Sequence, residues 1–247
     1  MAELKNLEKL PPEVKPVVAG YLENMLQLHL GNISSIIIYG SAAGRDFVRG
    51  KSNINILVIF DRLTPADLRK SLRLIAKGSK KMIIAPLFLT REHMVTSTDV
   101  FPVEFLEKKE NHILVYGEDI LPLLEIDSKN IRRQCEYQLK GKLIRIRQAY
   151  LEIGLKPKGM EALLKESFKS LVPIFRNLLR LKGRVPPVEK EEIIRQLAAE
   201  FNIDQHTFLA ILRDKSNDEK IASQDVEVFL EKYIEEIQKL AAIVDKL

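Results

Sequence analysis

The sequence predicts an α/β unit followed by an all-α bundle, and three observations carry that reading. Short apolar, β-branched runs alternate with helical patterns through the first half of the chain. From about residue 130 onward the helical period alone recurs. Charge divides at the same place: residues 1–127 hold 16 Lys and Arg against 16 Asp and Glu, and residues 128–247 hold 23 against 18. The expected units are residues 1–125 and 126–247, with the boundary between Leu124 and Asn130. The positive surplus places attraction for an anionic ligand on the second unit.

With 247 residues, 46% hydrophobic and 30% charged, the composition is that of a soluble globular protein. No apolar run approaches a membrane span, and the N-terminal stretch lacks the apolar core of a signal peptide. A cytoplasmic protein without membrane contact is the expectation. The single cysteine, Cys135, excludes an internal disulfide and a cysteine-based zinc cage, and fits a small buried helix residue. His29, His93, His112 and His206 lack metal-ligand spacing and read as incidental. No repeat or low-complexity tract is present.

The elements follow in order. Pro11-Pro12 opens a helix to about Leu30, with Val14, Val17, Val18, Tyr21, Leu22, Met25 and Leu28 on one stripe, and Gly31-Asn32 ends it. Ile36 to Tyr39 is a strand, closed by Gly40-Ser41. Asn53 to Phe60 is a second strand. Thr64-Pro65 caps a helix to about Lys77, with Leu68, Leu72 and Ile75 expected inward. Met82 to Leu89 reads as a third strand, in which Pro86 marks an end, an edge or a bulge. A helical turn is expected from Thr90 to Val95. Phe101 to Glu107 alternates and reads as a fourth strand, and Asn111 to Tyr116 as a short element before the Gly117 turn.

The second half opens on a long basic helix, Asn130 to Ile153, with Cys135, Leu139, Leu143, Ile146 and Tyr150 on its stripe. Met160 to Leu181 is a helix kinked or restarted at Pro173. Glu189 to Glu200 is a third, Asp204 is placed to cap a fourth, and the last runs from Gln224. Its Val226, Leu230, Tyr233, Ile237, Leu240, Val244 and Leu247 alternate four and three apart, which fits a bundle helix or a homodimer seam. The bundle reading leads, because the unit needs a core of its own.

Ser34 to Phe60 is the stretch around which the chain is organised. It reads as strand, glycine turn, short helix and second strand, with 11 residues between Ser41 and Asn53. Free N–H groups at the start of that helix, approached closely through Gly40 and Gly44, form a place for a phosphate. Asn53 and Asn55 share one face of the second strand by its alternation.

Gly40-Ser41 followed by Ser52-Asn53-Ile54-Asn55-Ile56 resembles the nucleotidyltransferase superfamily with its DNA polymerase β-like fold. That family carries Gly-Ser, a spacer of this length, and then Asp-x-Asp on the next strand. The resemblance covers residues 30–120 by motif and the helical unit by layout. It implies a mixed sheet followed by a helical bundle. It also implies a nucleotide or other phosphorylated ligand at Gly40, Ser41, Gly44 and Arg45, in a cleft between the units. In the family the two aspartates hold Mg²⁺, which bridges the triphosphate and the attacking hydroxyl. Here Asn53 and Asn55 stand in their places. An amide oxygen ligates Mg²⁺ but carries no charge, so two negative charges are missing from the expected metal shell.

The family's third carboxylate falls at Glu104, on a neighbouring strand, with an ordinary exposed glutamate as the competing reading. Anion-binding candidates in the helical unit are Arg132, Arg133, Arg145, Arg176 and Arg180. RNA attraction is compatible with their charge, but no aromatic platform accompanies them. Two functions stay open. One is a catalytically degenerate protein that keeps a nucleotide, an anionic ligand or a partner, with no cofactor. The other is an active nucleotidyltransferase that passes an NMP from an NTP to a hydroxyl, using Glu104, asparagine oxygens and Mg²⁺ or Mn²⁺.

Overall fold

A computed structural model describes residues 3–44, 47, 52–80, 82–216 and 218–247. The chain divides into two compact units, Met1–Asp127 and Ser128–Leu247. The first is built on a four-stranded mixed sheet, and the described residues of the second form helices and their connections. No helix among the described residues is long and apolar enough to cross a membrane.

In the first unit, α1 (Lys15–Leu28) leads into β1 (Ile33–Tyr39), and β2 (Asn55–Phe60) pairs antiparallel with it. The helix α2 (Pro65–Ser79) crosses over to β3 (Leu87–Thr90), which lies parallel to β2 at one edge. α3 (Arg91–Thr96) and α4 (Pro102–Glu110) then lead to β4 (His112–Gly117), antiparallel to β1. The sheet order is β3-β2-β1-β4.

Both faces of the sheet are covered, which explains why β1 and β2 read as continuous apolar runs. Ile36, Ile38, Ile54, Ile56, Val58 and Phe60 pack in one core with Val18, Leu22 and Met25 of α1. Ile37, Leu57 and Ile59 point the other way, into a second core with Met94, Phe105 and Leu121.

Three sequence expectations need correction here. Phe101 to Glu107 is helix α4, not a strand. Pro102 stands in its first turn and Phe105 N–H donates to Phe101 O at 3.1 Å. Pro102, Val103 and Phe105 are buried at spacings that a short helix and an alternating strand share, and the proline with the acidic first turn decides for helix. The fourth strand is instead β4. The third strand is also shorter than expected. Ile83 makes an isolated bridge to Ile54, Pro86 cannot donate a ladder bond, and regular pairing begins at Leu87.

The third correction concerns α2. Leu68 and Leu72 are 47% and 61% exposed, while Asp67, Ser71 and Gly78 are buried. A reciprocal capping box between Thr64 and Asp67 starts the helix with Asp67 turned inward. Ser71 follows one turn on, and at Gly78 a Cβ would come within 2.7 Å of Tyr21 Cε2. The helix approaches α1 through Asp67, Ser71, Gly78 and the half-buried Leu74, so Leu68 and Leu72 face out.

The second unit comprises α5 (Ser128–Ile153), α6 (Pro157–Lys169), α7 (Val172–Leu181), α8 (Lys190–Phe201), α9 (Gln205–Ser216) and α10 (Val226–Asp245). The chain restarts after Lys169, with Pro173 inside the first turn of α7. Asp204 accepts from His206 N and Thr207 N, as a helix cap does. Cys135, Leu139, Leu143 and Ile146 are buried on α5. Burial pushes the Cys135 thiol up to about 12, so it is an inert core group. On α10, Val226, Leu230, Tyr233, Ile237, Leu240 and Val244 are buried within the chain, while Leu247 is 49% exposed. The stripe is consumed by the bundle core and is not an open dimer seam.

Candidate functional site

The site region is the end of the sheet where β1 stops and β2 starts. Tyr39 ends β1, and Gly40 turns the chain with φ at +73°, a conformation that glycine adopts without strain. Gly40 to Ala42 form one short 3-10 turn, anchored by Ala42, which is fully buried. Gly40 N–H donates to Asn111 O at 3.2 Å, tying the turn to the start of β4. Gly44 N–H donates back to Gly40 O at 3.1 Å and closes the turn. A Cβ at Gly44 would meet nothing nearer than 3.6 Å, so that position has no steric need for glycine. The expected helix after Ser41, and Arg45 with it, fall on residues outside those described.

Asn53 is exposed and Asn55 half-buried at the start of β2. Ile54 and Ile56 belong to the core under α1, whereas Leu57 belongs to the opposite core. By strand alternation Asn55 shares the face of Leu57. The register pairs Asn55 with Tyr39, and a Cβ at Gly40 would stand 3.0 Å from Asn55 Nδ2. Gly40 and Asn55, far apart in sequence, are therefore in direct contact.

On the other side of Tyr39 the paired residue is His112 of β4. Its Nδ1 faces Lys109 O at 3.1 Å and its Nε2 faces Asp119 Oδ2 at 2.9 Å. Asn55, Tyr39 and His112 thus form a polar row across three strands. Helix α4 lies on this face through Phe105, which packs in the same core as Ile37 and Leu57. Lys108 Nζ sits 4.9 Å from the Tyr39 ring centre and 5.9 Å from that of Phe105. Burial pushes the Tyr39 hydroxyl above its ordinary range, keeping the ring a neutral phenol at neutral pH.

Glu104 does not occupy a strand. It lies half-buried in the first turn of α4, where Lys108 Nζ donates to its backbone oxygen at 3.1 Å. The described residues contain no group of three or more His, Cys, Asp or Glu able to hold a metal ion. The side chains of Asn53 and Asn55, where the sequence resemblance implies metal-holding aspartates, are neutral amides. Mg²⁺ favours a shell of anionic oxygens, and these residues do not provide one.

The five arginine candidates lie in the second unit. Arg132 donates to Glu136 Oε2 at 2.8 Å and to Val244 O at 3.2 Å, so it caps the end of α10. Arg176 donates to Val188 O at 3.1 Å and Arg180 to Asn177 Oδ1 at 2.8 Å. Arg133 and Arg145 are exposed. Lys142, one of the cations that made α5 look basic, is buried and donates to Ser167 O at 3.0 Å. Much of the charge read as an anion-attracting face is engaged in holding the bundle together.

The sequence reading missed two features. Lys108 falls just past the expected strand Phe101 to Glu107, where a lysine carries no signal; as an i, i+4 partner of Glu104 on a helix it would have carried one. The other is His29, read as incidental. It is 4% exposed, and its Nε2 lies 2.8 Å from Ser71 Oγ. Ser71 Oγ–H in turn donates to Asp67 O at 3.0 Å, and His29 Nδ1 lies 3.7 Å from Asp67 Oδ1. This serine–histidine–aspartate set is sealed from solvent and joins the end of α1 to α2.

No family model matches the chain, and no curated protein matches it in sequence. Solved structures match it in fold. The spectinomycin adenyltransferase AAD(9) from Enterococcus faecialis, crystallised with ATP and spectinomycin, is similar over 90% of this chain and 98% of its own, with a TM-score of 0.57 and 14% identity. A nucleotidyltransferase-like protein from Exiguobacterium sibiricum is similar over 90% of this chain and 74% of its own, with a TM-score of 0.44 and 12% identity. The chain has the nucleotidyltransferase fold.

Proposed function

We propose that this chain is a catalytically degenerate nucleotidyltransferase-fold protein. It binds a nucleotide, or another phosphorylated ligand, at the Gly40-Ser41 turn without transferring it. The observation that carries this reading is the donor set: Asn53 and Asn55 stand where the resemblance implies two metal-holding aspartates. Glu104, the third candidate, belongs to helix α4. Neutral amides supply neither the charge that fixes Mg²⁺ nor, through it, the stabilisation of charge developing in phosphoryl transfer. The glycine turn, by contrast, keeps its strand–turn–strand setting, and ligand contact there needs no carboxylate.

The AAD(9) structure contains ATP, which makes ATP the ligand to test first. Calorimetry with ATP, in Mg²⁺ and in EDTA, is run beside a pyrophosphate-release assay with a panel of hydroxyl acceptors. Binding in EDTA with no pyrophosphate release supports the reading. Binding that requires Mg²⁺, with pyrophosphate released, replaces it by an active nucleotidyltransferase with amide ligands.

A further inference from the structure

Lys108 holds a cation against the polar row described above, and neither the sequence motif nor the family resemblance singles it out. Its ammonium lies over the Tyr39 ring at 4.9 Å, and Tyr39 is the cross-strand partner of Asn55. Directly opposed residues on one sheet face have Cβ atoms about 4.5–5.5 Å apart. Lys108 therefore stands over the residue next to Asn55, on the face that Asn55 shares with Leu57. Tyr39 also immediately precedes Gly40, so the residue under the ammonium leads directly into the glycine turn.

We propose that Lys108 supplies the positive charge that the family resemblance assigns to a metal: its ammonium is a built-in cation that receives a phosphate of the ligand beside Asn55 and the Gly40 turn. The inference rests on the reading of this site as a phosphate-binding one. Three physical features fit a resident cation. The ammonium is fixed in place, because the two aromatic faces of Tyr39 and Phe105 and the Glu104 carbonyl oxygen hold it. Burial lowers its pKa, so water solvates the charge poorly there and an anion gains more by meeting it. Glu104 and Glu107 act the other way and favour the charged form. Finally, asparagine at 53 and 55 removes two anions that would hold an ammonium back from phosphate. Carboxylates there suit a divalent metal; amides, which donate as well as accept, suit a lysine–phosphate pair.

The test is calorimetry on the full chain with ATP and with inorganic tripolyphosphate, both in EDTA. Lys108→Met is expected to weaken both at least ten-fold, and Lys108→Arg to recover most of the loss. If wild type binds in EDTA and Lys108→Met binds equally well, the role of Lys108 is overturned while the site reading stands. If wild type binds ATP only with Mg²⁺, a metal does the work and the inference falls. If wild type binds neither compound under any condition, the site reading fails and takes the inference with it. Should Lys108→Met melt before binding is measurable, wild type is acetylated with acetic anhydride and read by mass spectrometry. Protection of Lys108 by ATP, with Lys109 as the internal reference, supports the inference, and equal labelling with and without ATP overturns it.

Discussion

A Cβ at Gly40 would stand 3.0 Å from the side-chain amide of Asn55, so the turn at the end of β1 and the first residue of β2 are fitted to each other. That contact joins the Gly40-Ser41 and Asn53-Ile54-Asn55 halves of the motif. It also makes the turn sensitive to a single methyl group.

Gly40→Ala places a side chain at a φ of +73°, where an L-residue costs about 1–2 kcal/mol. The same methyl displaces the Asn55 amide. The first unit is expected to melt roughly 3–8 °C lower, with ATP affinity reduced. Thermal unfolding followed by circular dichroism checks it, and an unchanged midpoint would show that the turn relaxes freely.

Gly117→Ala is expected to be far more severe. Gly117 has a φ of +75°, and a Cβ there would lie 1.9 Å from Ser34 O, a backbone atom that cannot swing aside. The pairing of β4 with β1 would have to open, at a cost on the order of 3–5 kcal/mol. Loss of soluble, folded protein on expression is the outcome anticipated. Wild-type yield and melting would contradict the register of these two strands.

Restoring the family's charge is expected to restore a metal requirement. The Asn53→Asp/Asn55→Asp double variant should bind Mg²⁺–ATP at least about ten-fold more tightly than wild type, or about 1.4 kcal/mol. Its affinity in EDTA should fall, because two carboxylates repel the phosphates once no cation lies between them. Titrations at one ionic strength read both numbers. If wild type already gains as much from Mg²⁺ as the variant, the asparagines are working ligands.

Stability should depend on pH through His29. Burial between Phe60 and Phe88 lowers its pKa from the ordinary 6.5. The unfolded chain takes up the proton first, so the stabilisation is complete above about 6.5 and is lost as pH falls toward the lower folded value. The Asp67 carboxyl, held low by its Thr64 hydrogen bonds, adds a further loss at more acid pH. Urea midpoints at pH 7.5 and 5.5 should therefore differ in wild type and differ less in His29→Gln. Equal shifts in both proteins would assign the acid limb to other groups.

The sequence by itself determined the order of most elements, the division into a sheet unit and a helical unit, and the glycine turn with its two asparagines. Those features are local: β-branched runs, proline and glycine stops and a repeating helical stripe are written in neighbouring residues. What needed the tertiary structure was everything set by contact between distant residues. Phe101 to Glu107 satisfies both a strand and a helix pattern, and packing against Ile37 and Leu57 with Pro102 in the first turn selected the helix. The inward face of α2 was chosen by Tyr21 and His29 of the preceding helix and its end, against the outward leucines. Lys108 became part of the site because α4 lies across the face on which Tyr39 and Asn55 pair. Side-chain period tells a residue which way to face on its own element, but what it faces is fixed by long-range packing, and that is where this site was made.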